Sequence, residues 1–402
     1  MKTRREDEQA RPGARLATVE ELEVVVEKLV AGGEGFARWE GIPIFIPRSA
    51  PGDHLRVRLI ERRPDYGRAE ILEILQAGPG RRPAPCDYFG ECGGCDLQHI
   101  DDELQATLKA TAVRETLVRL GGVSTQVPVE IVFGAAWGYR QRAQLHTQVD
   151  DQADVHVGFH ARRGHALVAV DSCPVLVPEL EAHLPRLAER LPSPPPKRLD
   201  LVVGDDGALS SAPRGTDLPH GEVQISVSGI DYQLDARCFF QTHRQLLPDL
   251  VRQVVGDWRG SLAYDLFAGV GFFSLPLAAL YDRVVAVEGD RIAGRYLQRN
   301  ARLNRLEGLE YVHSAVESWV PRLPEGVDRV VVDPPRAGLS GKIREFLCRR
   351  KPRHLTYASC HPATLARDLR ALDRAFSLEH LSLIDLFPQT GHMEVVAQMR
   401  RR

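Results

Sequence analysis

From about residue 262 onward, apolar strands and amphipathic helices alternate, and this restricts the C-terminal part of the chain to one kind of architecture. Leu262-Ala-Tyr-Asp-Leu-Phe267, Arg283-Val-Val-Ala-Val-Glu288, Asp328-Arg-Val-Val-Val-Asp333 and His354-Leu-Thr-Tyr-Ala-Ser359 read as strands. Helical periodicity runs near 274–281, 291–303, 340–350 and 362–375. Strand–helix units of this length build a doubly wound, mostly parallel sheet, and ligands bind such sheets at the carboxyl ends of the strands.

Several motifs fall at or beyond those ends. Asp265-Leu-Phe-Ala-Gly269-Val-Gly271-Phe-Phe-Ser274 joins a strand to a helix, with glycines where backbone must approach a ligand. Glu288 ends the next strand, a position from which an acid hydrogen-bonds ribose hydroxyls. The loop lacks a third glycine, which suits the nucleoside of S-adenosylmethionine better than a pyrophosphate of NAD. Asp333-Pro-Pro-Arg336, Ser359-Cys360-His361-Pro362 and Gly391-His392-Met393-Glu394 follow in that order. Cys360 is a candidate thiolate nucleophile and Glu394 a candidate base. Uracil explains such a pair: thiolate addition at C6 makes C5 nucleophilic, and a base must later remove the C5 proton. Cys238 and Cys348 read as small buried hydrophobes. A surface carboxylate, or a metal ligand beside His392, is the alternative for Glu394.

Upstream the pattern changes. Residues 1–16 are charged and read as a flexible tail. Between 17 and 76, short alternating segments separated by Gly32-Gly33, Pro51-Gly52 and Pro64-Asp65 predict four or five strands of a small, OB-like β-barrel. Residues 77–235 read as a β-rich central domain, interrupted by a helix over 103–120, and 236–402 as the Rossmann-like domain. Strand-like pieces fall at 139–149, 154–160 and 166–170, with a proline-rich linker over 191–197.

The central domain carries a cysteine group. Cys86-x5-Cys92-Gly-Gly-Cys95, with Cys173 in Asp171-Ser-Cys-Pro174, offers four thiolates to zinc or to a 4Fe-4S cluster. Seven cysteines in all, an odd number, argue for metal or catalysis rather than a disulfide framework.

At 402 residues and 43% hydrophobic, the chain has ample core for two or three domains. No stretch has the length of a membrane span and the N-terminus has no apolar signal core, so a cytoplasmic protein is expected. Net charge is −2, which gives no global attraction to nucleic acid. Arginine is dense locally, at Arg56-Val-Arg58, Arg62-Arg63, Arg81-Arg82, Arg140-Gln-Arg142 and Arg162-Arg163, and these clusters point toward RNA.

With these motifs in place, the chain from about 17 to 398 resembles the RNA uracil-5 methyltransferase family, in its ribosomal-RNA-modifying branch. The resemblance implies that 17–76, with Gly33-Glu-Gly-Phe-Ala-Arg38, is a TRAM barrel that binds RNA. It implies a 4Fe-4S cluster on Cys86, Cys92, Cys95 and Cys173. It places S-adenosylmethionine contacts on Gln241 (in Phe239-Phe240-Gln241), Phe267, Glu288 and Asp333. It assigns the nucleophile to Cys360 and the base to Glu394. It further implies that the helix at 103–120 packs on the catalytic domain. Three positions depart from the family's usual asparagine: Gln141, His243 and His361.

The activity so implied is formation of 5-methyluridine in structured RNA by a monomer, with 23S rRNA the favoured substrate and transfer RNA the alternative. An inactive RNA-binding chaperone on a methyltransferase scaffold is the reading from another class, against which intact Cys360, Asp333 and Glu394 argue. A radical use of the cluster is disfavoured because Cys173 supplies a fourth ligand.

Overall fold

The computed structural model describes residues 20–123, 126–162 and 164–402. The expected tail at 1–16, the first residues of the expected barrel and Arg163 lie outside them.

The N-terminal unit is a curled sheet of six strands, not the four or five expected: β1 (Glu21–Val25), β2 (Lys28–Leu29), β3 (Glu34–Trp39), β4 (Ile42–Pro47), β5 (His54–Arg62) and β6 (Gly67–Gln76). Their order is β1-β5-β6-β4-β3-β2. Alternation makes the fold: Leu22, Val24, Leu55, Val57 and Ala69 point into a small core, and charged residues face out. The two strands missed are a two-residue pairing and Glu34–Trp39, whose glycine and charges mask its period.

The cysteine-bearing segment leads into α1 (Asp102–Gly121) and β7 (Val129–Val132). A five-stranded antiparallel sheet follows, in the order β10-β9-β8-β11-β12: β8 (Arg142–Val149), β9 (Val155–His160), β10 (Leu167–Ala169), β11 (Arg198–Val203) and β12 (Leu209–Ala212). Leu145, Leu199, Leu201 and Val203 bury against α2 (Pro178–Glu181). A hairpin, β13 (Val223–Val227) and β14 (Ile230–Leu234), then packs into the core beneath α3 (Leu247–Val255).

The C-terminal sheet has eight strands: β15 (Gly260–Leu266), β16 (Tyr281–Glu288), β17 (Leu309–His313), β18 (Arg329–Val332), β19 (His354–Ser359), β20 (Phe376–Ile384), β21 (Glu394–Arg401) and β7. Their order is β17-β16-β15-β18-β19-β21-β20-β7. Helices α4 (Ser274–Ala278), α5 (Arg291–Leu303), α6 (Val316–Trp319), α7 (Gly341–Arg350) and α8 (Pro362–Leu372) connect the strands. Only β21 runs against the rest. That reversal brings its first residue, Glu394, to the edge where the parallel strands end.

This sheet recruits from outside the stretch 236–402. β7 pairs in parallel with β20 and covers an edge that would otherwise expose unpaired backbone. α1 lies on the same layer, with Ala110, Val113 and Leu117 in the core shared with Leu365 and Leu369 of α8. Among the described residues, no helix is long and apolar enough to cross a membrane.

Candidate active site

The strand order turns between β15 and β18, and acids stand on both sides of that turning point. Asp265, near the end of β15, is fully buried. One of its oxygens accepts the Ser274 hydroxyl proton and the other, Oδ1, has no hydrogen-bond partner among the described residues. Burial pushes its carboxyl up to about 7. Asp333 follows β18; burial first, then the Asp265 charge, push it up as well. An unpaired buried carboxylate oxygen costs free energy unless a ligand satisfies it. Asp265 opens the glycine loop and was not singled out from sequence. Its signal was available: one acid inside an otherwise apolar strand.

Phe267, Gly269 and Gly271 all take positive φ (71°, 55° and 93°), so the chain turns sharply out of β15. At φ 93° a side chain on Gly271 would be strained, and its Cβ would also push on the end of Leu275, 2.3 Å from Cδ1. Glu288 accepts the Gly269 N–H at 2.8 Å and the Asp290 N–H at 2.6 Å, which fixes its carboxylate beside the loop. Gln241 is brought to the same loop by its neighbour: the Phe240 ring meets Phe272 edge-on at 5.2 Å.

One strand over, β19 ends at Ser359, which stands opposite Val395 in the antiparallel register with β21. Cys360 and Glu394 are the next residues outward on each strand. Cys360 is half-buried, and burial, then the Glu394 and Asp333 carboxylates, push its thiol up to about 11. The Arg336 cation opposes that rise. Glu394 is buried, and burial and Asp333 hold its carboxyl well above the usual carboxylate range. The loop carrying Asp333 and Arg336 is anchored by Asp368. That carboxylate accepts the Tyr357 hydroxyl at 2.8 Å, the Leu339 N–H at 2.7 Å and bonds from Arg344 and Arg367.

The four cysteines expected to bind metal form a second place. Cys86, Cys92, Cys95 and Cys173 line one cavity with Tyr88, Phe159 and Arg140. Among the described residues they do not converge as a ready-made site for a single ion. Burial raises the Cys95 thiol to about 12 and that of Cys173 to about 11. The Gly94 N–H donates to Cys92 Sγ at 3.4 Å. Four thiols around one hollow, with a cation in the wall, supply the donor set of either a four-cysteine zinc site or a 4Fe-4S cluster.

The arginine clusters expected to face RNA are occupied within the protein. The register of β1, β5 and β6 sets Arg56 opposite Glu23 and Glu73, and Arg58 opposite Glu21 and Glu70. Arg56 pairs with Glu73 at 2.8 Å, Arg58 with Glu70 at 3.2 Å, Arg62 with Glu20 at 3.0 Å and Arg63 with Glu61 at 2.8 Å. Arg81, Arg82, Arg142 and Arg162 pair with Asp53, Asp102, Asp200 and Asp96. Residues 20–76 hold eight Lys and Arg against eleven Asp and Glu, so the barrel is net acidic. Counting arginines along the chain misses the glutamates across the strand.

Comparison with known proteins agrees with this layout. The family model described as tRNA (Uracil-5-)-methyltransferase matches residues 216–402, and that of the TRAM domain matches 15–72. The 23S rRNA (uracil(1939)-C(5))-methyltransferase RlmD of Klebsiella pneumoniae is 32% identical, covering 96% of this chain and 98% of that protein. The enzyme of the same name from Edwardsiella ictaluri is 34% identical over 96% and 97%. The chain belongs to the RNA uracil-C5 methyltransferase family. Among solved structures, the Pyrococcus abyssi tRNA (uracil-54, C5)-methyltransferase in complex with S-adenosyl-L-homocysteine superposes with a TM-score of 0.73. It is 25% identical and covers 94% of this chain and all of that one.

The three departures from the usual pattern of this uracil-C5 methyltransferase family have local work to do. His361 caps α8, its Nδ1 accepting the Thr364 N–H at 3.3 Å, a job asparagine also performs well. Gln141 is buried and donates to the Gln241 carbonyl at 3.1 Å. His243 is buried and stacks on Tyr139 at 4.7 Å, with burial driving its imidazole down to about 4. It therefore stays neutral and acts as a flat packing element.

Proposed function

We propose that this chain methylates uracil C5 in structured RNA, with Cys360 as nucleophile and Glu394 as the base that ends the reaction. The observation that carries this reading is the meeting of Cys360 and Glu394 across the β19–β21 register, beside Asp333. S-adenosylmethionine, held by Gln241, Phe267, Glu288 and Asp333, would supply the methyl group and a positive charge among these acids. The partnerless Oδ1 of Asp265 and the fixed Glu288 carboxylate support a nucleoside pocket at that loop.

In this reading Cys360 Sγ would bond to uracil C6, and the electron pair thus placed on C5 would take the methyl group as its bond to the sulfonium sulfur breaks, leaving S-adenosylhomocysteine. The Glu394 carboxylate then takes the C5 proton, and the C6–S bond breaks to return the thiolate. Burial and the neighbouring carboxylates hold the Cys360 thiol up, so positive charge arriving at the site would favour the thiolate. Asp333 stands where it tunes both partners. The target base would leave its stack to enter the site. Phe239 and Phe133, both exposed, offer ring faces to bases; Phe239 precedes Gln241 by two residues and Phe133 extends β7 at the same sheet edge.

Cys86, Cys92, Cys95 and Cys173 would hold a 4Fe-4S cluster with a structural role, supported by their common cavity. Ribosomal 23S RNA is the favoured substrate because relatives matching the whole chain carry that name. Transfer RNA is the second reading, favoured by the Pyrococcus neighbour. RNA containing 5-fluorouridine separates the possibilities. Fluorine at C5 cannot leave as a proton, so the wild-type protein with S-adenosylmethionine should form an adduct stable in denaturing gels, and Cys360→Ala should not. The RNA that is trapped, a 23S fragment or a transfer RNA, identifies the substrate. RNA binding without any adduct would sink the methyltransfer reading in favour of a chaperone.

A further inference from the structure

The segment just before Glu394 is held by every part of the molecule. Gln389 is fully buried at φ +67°, and its carbonyl accepts the N–H groups of Asp96 at 2.8 Å and Leu97 at 2.9 Å. Those two residues directly follow Cys95. The Asp96 carboxylate accepts the Gly391 N–H at 2.9 Å. From α1, Gln105 accepts the Gln389 N–H at 2.8 Å and donates to its side-chain oxygen at 2.9 Å. The same amide nitrogen holds the carbonyls of Leu97 at 3.2 Å and Ile100 at 3.0 Å. From the barrel, Gly33 lies so close that a Cβ on it would sit 2.9 Å from Gly391 Cα. None of these groups belongs to the reacting set.

Barrel, cysteine loop and α1 therefore meet on residues 389–391, three to five positions ahead of the carboxylate. We propose that Asp96 and Gln105 are positioning residues that set Glu394 for proton removal, so that the cysteine loop and the barrel control release of product rather than attack on the base. This rests on the roles proposed above for Cys360 and Glu394. Cys360 is carried by β19 and α8; the hydrogen bonds of Asp96 and Gln105 end on 389–391, and α1 meets α8 farther along, through Ala110, Val113 and Leu117. Loosening the clamp should leave addition and methyl transfer running and slow only the last step. The methylated base then stays bonded to Sγ, still carrying its C5 proton, until Glu394 removes it. Misplacing a catalytic group by about 1 Å costs up to about 100-fold in rate.

The test uses full-length protein, S-adenosylmethionine and the RNA transcript, 23S fragment or transfer RNA, that the fluorouridine trap selects, now with ordinary uridine. Asp96→Ala, Gln105→Met and Gly33→Ala come from three separate segments. Each should slow turnover by about 10- to 100-fold and accumulate a covalent RNA–protein band where wild type shows almost none. Asp96→Asn, which keeps an oxygen for the Gly391 N–H, should release product faster than Asp96→Ala. Iron content and S-adenosylmethionine binding in Gln105→Met should match wild type, which separates lost positioning from a lost cluster or fold. Glu394→Gln is the reference: if it accumulates no adduct, the assigned base is wrong. If it does but the three variants lose turnover and adduct together, or release at the wild-type rate, the positioning role is refuted.

Discussion

Three carboxyls raised by burial sit together at one sheet edge, and the sign of their effect follows from that direction. A carboxyl whose folded pKa exceeds its unfolded value stabilises the fold only while protonated. Stability is intact below the unfolded value, near 4, and declines as pH climbs toward the folded value. Glu394→Gln removes this cost for one group. Its melting temperature should equal wild type below about pH 4, pull ahead as pH rises, and exceed it at pH 8 by about 2–4 °C for each kcal/mol relieved. A variant no more stable than wild type at pH 8 would show that Glu394 is not held high. Catalysis runs the other way. Cys360 and Glu394 must both ionise and both are held up, so turnover should rise with pH beyond the ordinary carboxylate range and still be rising as pH approaches the Cys360 value of about 11. Asp333→Asn removes a charge that raises both groups and should displace this rise to lower pH, alongside any loss of cofactor affinity. A second residue-scale expectation concerns the helix cap: His361→Ala should cost about 1 kcal/mol in unfolding experiments, and His361→Asn should restore it.

Among elements, α1 is attached to the catalytic sheet by an unusual fastener. Lys109 is fully buried and donates to Asp385 at 2.7 Å and to the Phe387 carbonyl at 2.8 Å. Lys109→Met leaves a buried carboxylate unpaired, and urea titration should register a loss of about 3–5 kcal/mol, partly recovered by adding Asp385→Leu. These elements also show what the sequence could and could not disclose. β16 and β18 were legible because their valines run together between turn signals, as strands covered on both faces must, and β15 and β19 because apolar and aromatic residues (Leu262, Ala263 and Tyr264; Leu355, Tyr357 and Ala358) lead into the loop motifs. β20 was not, because Ser377, Glu379 and His380 interrupt its first half, and β7 is four residues long with its partner far along the chain. Cys360 and Glu394 could be named singly from their motifs. Their meeting depends on β21 running backwards, which no local pattern announces.

Across the whole molecule, charge is neutralised where it was expected to be free. The outer face of the barrel is a ladder of arginine–glutamate pairs between neighbouring strands, each exposed pair worth only a fraction of a kcal/mol. RNA affinity arising from phosphate contacts falls steeply with salt, with a slope set by the number of cations engaged. Because the barrel's arginines are already paired, Arg56→Gln with Arg58→Gln should leave that slope within about one unit of wild type in filter binding. A drop of two or more would mean that RNA displaces the glutamates. The net charge of −2 thus hides a molecule in which many cations of the barrel and the cysteine loop are spent on its own acids.

The pairing of β7 with β20 carries a consequence for how the protein comes into being. A chain leaves the ribosome from its N-terminus, so α1 and β7 emerge long before the strand and helix they lean on. Until α8 and β20 are made, Ala110, Val113 and Leu117 lack the leucines of α8 and β7 lacks its neighbouring strand. The catalytic sheet therefore cannot ripen from one continuous stretch of chain: an early helix waits, greasy side partly outward, for elements synthesised much later.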